Sequence, residues 1–157
     1  MKFMDFICFE SLKAELESDS RDAVIAELIF ALDKAGRLGK NNADNIIKEI
    51  IKRENEASTG LGKGVSIPHV KHQDVKNVVA TVGQSTRGID FCSLDKQPVH
   101  TVILLVSPAE NPDKHLQAME YIFRHLQIDK FLKFLRQSRT AEQIEDLLRE
   151  ADENPSL

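Results

Sequence analysis

His69 closes a short apolar run and follows a proline directly, in Val65-Ser66-Ile67-Pro68-His69. Proline fixes its own φ and biases the residue before it toward extended geometry, so the imidazole is held on a stiff mount. Just upstream, Gly60, Gly62 and Gly64 stand at alternate positions. Glycine lets backbone N–H groups approach an anion with no Cβ in the way. Arg53 precedes this loop and can add a charge-assisted contact to an oxyanion. An imidazole titrates at about 6.5, so its neutral, nucleophilic form is abundant near pH 7. Histidine can carry a covalent intermediate, here a phosphoramidate. Phosphoryl transfer asks mainly for positioning and charge stabilisation. The constellation looks like a phosphate-handling site. On the residues alone, His69 reads equally well as a structural histidine that caps a strand.

Two competing chemistries fail on spacing. A nucleotide-binding loop needs a glycine, four residues, then Gly-Lys-Ser/Thr, whereas here Lys63 is followed by Gly64. No ATP site and no cofactor are expected. His69 and His72 could suggest a metal, but no further Cys/His cluster completes a ligand set. Residues three apart on a strand also face opposite sides. The remaining histidines are His100, His115 and His125. His115 falls in the first turn of an expected helix, where anions are favoured. Without further support it reads as an exposed polar residue, and His125 as structural or exposed. Glu54 reads as a solvated glutamate at a helix end, with holding Arg53 or the backbone as the alternative. Thr59 could offer its hydroxyl to the site or merely cap the loop.

The elements that must position these residues follow from periodicity. Ser18-Asp19-Ser20 can cap a helix over about Arg21–Ala35, ended by Gly36. Asn41 or Asn42 can cap a second, running to about Glu54 and burying Ile46, Ile47, Ile50 and Ile51. Val65–His69 and Val78–Gly83 read as strands, and Thr101–Val106 as a central strand buried on both faces. A helix is expected over about Asp113–Leu126, with Leu116, Met119, Ile122, Phe123 and Leu126 as its buried stripe. Two more follow at about 129–137 and 140–151, the last opening on a Thr140/Gln143 capping arrangement. Met4–Leu16 is poorly periodic and offers a short strand at most. The tail from Asp152 is expected to fray. The fold class is α/β, a single domain over 1–157 with a sheet flanked by helices.

Composition bounds the rest. With 157 residues, 41% apolar and 29% charged, the chain can bury a real core. A net charge of −4 lacks the concentrated basic face of nucleic-acid binders. The basic residues from Lys130 to Arg139 alternate with apolar ones, as on the solvated side of an amphipathic helix. Cys8 and Cys92, far apart, suit a reducing cytoplasm and read as small core residues. No apolar run approaches the ~20 residues of a membrane helix, and the N-terminus does not read as a signal peptide.

The motifs together resemble the enzyme IIA family of the phosphotransferase system, fructose–mannitol type, and within it the nitrogen-regulatory branch. The resemblance rests on Arg53-Glu54, Ser58-Thr59-Gly60-Leu61-Gly62, the Pro68-His69 block, Gly88-Ile89-Asp90-Phe91, Asp95-Lys96-Gln97-Pro98-Val99 and His115-Leu116. It implies a mixed sheet. It also implies that His69 is the phosphorylated nucleophile, supported by Arg53 and His115, with Thr59, Gly60 and Gly62 at the phosphate. The donor it implies is the histidine-containing phosphocarrier HPr. The acceptor is then a IIB domain or, in the regulatory branch, a protein target. No IIB or IIC segment is recognisable here, which suits a stand-alone carrier or regulator. The family has a small residue after its histidine, and this chain has Val70. An apolar rim for the docking partner is expected from Leu61, Val65 and Val70.

Overall fold

A computed structural model describes residues 1–154. The long helices are α2 (Arg21–Lys34) and α3 (Ala43–Glu56), then α4 (Pro112–Leu126), α5 (Asp129–Gln137) and α6 (Ala141–Glu153); a one-turn helix, α1 (Phe3–Phe6), opens the chain. The strands are β1 (Gly60–Gly62), β2 (Val65–Ser66), β3 (His69–His72), β4 (Val79–Ile89) and β5 (Val99–Pro108).

β5 is the axis of a mixed sheet. β4 runs antiparallel to it on one side. On the other side β2 and β3 both run parallel to it, β2 opposite Thr101–Val102 and β3 opposite Leu105–Pro108. The expected single strand over 65–69 is therefore broken at Ile67-Pro68. Proline has no N–H to give to a ladder, yet the Pro68 carbonyl still accepts from Leu105 N at 3.0 Å. The break places His69 at the start of a fresh strand, in register with Leu105.

β5 is buried on both faces, as its continuous apolar run predicted. Val102, Leu104 and Val106 join α2 and α3 in one core. Ile103 and Leu105 join α1, α4, α5 and α6 in the other. Alternate residues of one strand thus serve two layers. Val70 goes into the α2/α3 core and Val65 into the α4 core, 7% and 2% exposed, so neither forms a docking rim.

Three other expectations are corrected. The Met4–Leu16 segment holds α1, a 3₁₀ turn at Phe9–Ser11 and two isolated parallel bridges to β4 (Ile7↔Ala80, Lys13↔Gly83). It covers the free edge of the sheet without the periodicity of a strand. Cys92 is exposed while Cys8 is buried, so only one is a core residue. Asp152 does not fray. It is 6% exposed and accepts from Phe3 N (2.8 Å), Met4 N (3.0 Å) and the Tyr121 hydroxyl (2.6 Å). The rest of the expected frayed tail, 155–157, lies outside the described residues.

Candidate functional site

α3 ends beside the sheet and delivers Arg53 in its last turn. The chain then turns through the Gly60–Ser66 hairpin, in which β1 and β2 pair antiparallel. Its two-residue loop is Lys63-Gly64, with φ of 59° and 76°. Positive φ at both central residues is what a tight primed hairpin turn requires. The glycine-rich block thus builds a hairpin. Gly60 is required for a separate reason, because a Cβ there would lie 2.1 Å from Ser93 Oγ.

The donors of Gly60 and Thr59, expected to meet the phosphate, have partners within the protein. Gly60 N donates to Ser58 Oγ at 3.0 Å, and Lys63 N to Asp95 at 3.2 Å. The Thr59 hydroxyl donates to Glu54, as does Thr59 N at 3.1 Å. With these donors already committed, the block shapes the site wall. Glu54 is 4% exposed, not solvated, and has no ion pair with Arg53 among the described residues. The Arg53 guanidinium makes no ion pair among the described residues.

His69 is half-buried at the head of β3. Its Nδ1 lies 2.7 Å from the Ile67 carbonyl oxygen. A carbonyl can only accept, so Nδ1 carries the proton and Nε2 keeps its lone pair. Burial lowers the His69 pKa, aided by Arg53 and Lys71 and opposed by the Ile67 bond and Glu54. The ring is therefore held neutral and nucleophilic at pH 7.

His115, at the first turn of α4, faces it with ring centroids 5.6 Å apart. It is 7% exposed and shares a 2.7 Å hydrogen bond, through Nδ1, with Ser107 Oγ on β5. Burial pushes its pKa down to about 4, with His69, Lys71 and Arg53 adding to the effect. Arg53, Ser58, Thr59, Leu61, Ile67, His69, Met119 and Phe123 line one open cavity of about 390 Å³.

The other histidines lie elsewhere. His72 points to the α3 side, accepting from Asp74 N at 3.1 Å, so it diverges from His69. His125 is 2% exposed, bonded through Nδ1 to the Tyr121 carbonyl at 2.9 Å. His100 binds the Ser85 carbonyl.

A family model described as "Phosphoenolpyruvate-dependent sugar phosphotransferase system, EIIA 2" matches residues 6–151. The chain belongs to this family. Among curated relatives, it is 32% identical over 152 residues to the "PTS system fructose-specific EIIABC component" of Bacillus subtilis, covering 97% of this chain and 24% of that protein. It thus spans about a quarter of that relative's length. It is also 32% identical to a "Nitrogen regulatory protein" of Bradyrhizobium diazoefficiens, covering 94% and 95% of the two chains. Its fold is that of the nitrogen regulatory protein IIA-Ntr of Neisseria meningitidis, with a TM-score of 0.81 at 22% identity over 91% of this chain and 96% of that one. It also matches the structure of enzyme IIAMTL in complex with phosphorylated enzyme IIBMTL from Escherichia coli, with a TM-score of 0.75 at 16% identity over 90% and 95%. IIA domains are phosphotransfer components of the phosphotransferase system. Among the described residues of this IIA protein, no helix is long and apolar enough to cross a membrane.

Two site features escaped the sequence reading of this IIA domain. Ser107 sits in a run that reads only as buried strand. The expected stripe of α4 is split: Ile122 and Leu126 are buried as expected, with His115, Ala118, Tyr121 and His125 also facing in, whereas Leu116 is 58% exposed and Met119 and Phe123 are half-buried. Met119 and Phe123, four apart on one helix face, line the His69 cavity with Leu61. Periodicity cannot distinguish a stripe facing the core from one facing a partner.

The low His115 pKa has a consequence for stability. Unfolded, this histidine binds a proton at about pH 6.5, whereas folded it does so at about 4. Between these values the unfolded chain holds more protons, so stability falls as pH falls through this window. The slope from this one group is at most about 1.4 kcal/mol per pH unit. Urea unfolding of wild type and His115→Gln at pH 7, 6 and 5 checks this, with a shallower decline expected in the variant.

Proposed function

We propose that this IIA protein accepts a phosphoryl group on Nε2 of His69 from an HPr-like phosphocarrier and acts as a nitrogen-regulatory-type signalling protein in the cytoplasm. The observation that carries the acceptor assignment is the His69 Nδ1–Ile67 carbonyl bond of 2.7 Å. It leaves a lone pair on the nitrogen that faces the partner. In the transfer, that pair bonds to phosphorus while the phosphorus–nitrogen bond to the donor imidazole breaks and the electrons return to the donor ring. Arg53 supplies charge to the phosphoryl oxygens. His115, neutral at pH 7, offers a hydrogen bond from Nε2 when Ser107 donates to its Nδ1. The apolar lining of Leu61, Met119 and Phe123 supports docking of a protein donor over the cavity. Val70 points into the opposite core, so its departure from the family pattern does not touch this face.

The end-to-end match with the Bradyrhizobium protein favours the regulatory role. The equal identity to a fructose-specific component favours a second reading, in which the phosphoryl group passes to a IIB domain for sugar transport. Incubation with enzyme I, HPr and phosphoenolpyruvate, followed by intact mass measurement, tests acceptance: gain of one phosphoryl group is expected. Fast onward transfer to a fructose-type IIB domain, with protein partners indifferent to phosphorylation, would favour transport.

Arg53→Ala is expected to slow acceptance by roughly 10- to 100-fold, the effect of losing one charge-assisted contact of about 1.5–3 kcal/mol. Arg53→Lys should recover little, because a point charge does not reproduce a planar two-point contact. Stopped-time phosphorylation by HPr measures both, and a wild-type rate in Arg53→Ala would remove this residue from the site.

A further inference from the structure

We propose that Glu54 is a positioning residue for His69: its buried carboxylate clamps Thr59, and Thr59 holds the Ile67 segment whose carbonyl keeps the His69 proton on Nδ1. This rests on His69 Nε2 being the phosphoryl acceptor.

The position of Glu54 is costly. A carboxylate in the last turn of a helix opposes the macrodipole, and a buried one must be compensated by hydrogen bonds. Both of its oxygens go to one residue: Oε2 accepts from Thr59 N at 3.1 Å, and Oε1 from the Thr59 hydroxyl. The Thr59 carbonyl then accepts from Ile67 N at 3.2 Å, and the Ile67 carbonyl accepts from His69 Nδ1 at 2.7 Å. Each link is made by a different group of the same residue, so the chain is mechanical: it fixes where the Ile67 carbonyl lies. Pro68 restricts the same peptide from the other side. No other protein acceptor for Nδ1 is present among the described residues.

This placement matters at the step of P–N bond formation. The Nε2 electron pair enters the new bond while Nδ1 keeps its proton, so the ring gains a positive charge. The Ile67 carbonyl stabilises that proton directly. Glu54 also supplies the negative charge near the ring, against Arg53 and Lys71, with His115 facing it from α4. A carboxylate that only filled space would not influence which His69 nitrogen is protonated.

The test reads the tautomer directly. In ¹⁵N spectra of histidine rings, wild-type His69 is expected to be protonated on Nδ1 in its neutral form. Glu54→Gln keeps the shape and one acceptor but removes the charge. It should reduce the Nδ1-protonated fraction, move the His69 titration midpoint to lower pH and slow acceptance from HPr about 2- to 12-fold, the equivalent of one net hydrogen bond. Thr59→Val should act in the same direction and Thr59→Ser should restore the wild-type spectrum. An unchanged tautomer and midpoint in Glu54→Gln overturns the proposal. If that variant does not fold, identical tautomer populations in Thr59→Val and Thr59→Ser overturn it instead. A tautomer shift in Glu54→Gln, together with a wild-type protein that never takes up phosphate, supports the positioning role and sinks the acceptor reading, so the two failures are separable.

Discussion

His69→Ala is expected to abolish phosphoryl uptake completely, while His115→Ala still takes up one equivalent, more slowly. The two imidazoles face each other with centroids 5.6 Å apart, so proximity alone does not choose between them. Hydrogen bonding and burial do. His69 Nδ1 is bonded to a carbonyl, which fixes its tautomer with a lone pair on Nε2. His115 Nδ1 is bonded to a hydroxyl, which can donate or accept, so its tautomer is not fixed in this way. His115 is also 7% exposed, whereas His69 opens to the cavity that a partner protein must cover. A donor delivering a phosphoryl group in line needs the accessible lone pair. Intact mass after incubation with phosphorylated HPr reads the result. Acid-labile, base-stable phosphate should be absent from His69→Ala, and a full equivalent in that variant would move the acceptor elsewhere.

Asp152→Ala is expected to be the most damaging change far from the site. Asp152 ties the end of α6 to the start of α1 and to α4 through three hydrogen bonds. Each bond to an ionised group contributes about 1.5–3 kcal/mol. Water can partly replace them at Met4, which is exposed, but not at the buried Phe3 and Tyr121. A loss on the order of 3–5 kcal/mol is therefore expected, a large share of a typical domain's stability. That corresponds to a fall in melting temperature of roughly 6–20 °C for a chain of this size. Asp152→Asn, which keeps one good acceptor, should fall between wild type and alanine. A wild-type urea midpoint in Asp152→Ala would show that the two termini are held by apolar packing alone. Phosphorylation rate in the folded fraction should be unchanged, since none of these bonds reaches the His69 cavity.

Both expectations bear on what could be read before the fold was known. α2 declared itself by its cap, Ser20 accepting from Ala23 N, and α3 by periodicity, with Ile46 and Ile50 fully buried. The expected Asn42 cap makes no capping bond and donates to the Leu38 carbonyl instead. β5 declared itself by an unbroken apolar run, and Thr140 by its capping bond from Gln143 N. The Gln143 side chain reaches Arg139 N, one residue beyond the expected partner. Such signals lie within a few residues of one another, where local geometry is dominated by nearest neighbours. The order of residues around Pro68-His69 carried the expectation of a phosphate site for the same reason.

The misplaced features depend on distant partners. Nothing within Met4–Leu16 shows that Ile7 and Lys13 will bridge β4, because the periodicity of an edge segment is set by the sheet it joins. The outward position of Leu116 was hidden because the apolar stripe of α4 is wider than the face the core takes: Ile122 and Leu126 pack into it beside Ala118, while Met119 and Phe123 stand at its edge and Leu116 outside it. Glu54 and Asp152 looked solvated because charge predicts exposure. Their burial depends on donors five and about 150 residues away, which a sequence window weighs poorly. The sequence by itself determined the fold class, the main helices, the central strand and the residue types gathered at the site. Only the tertiary structure decided which His69 nitrogen is free, how Ser107 holds His115 and that the glycine block shapes a wall, because those properties arise from hydrogen bonds between residues that the fold brings together.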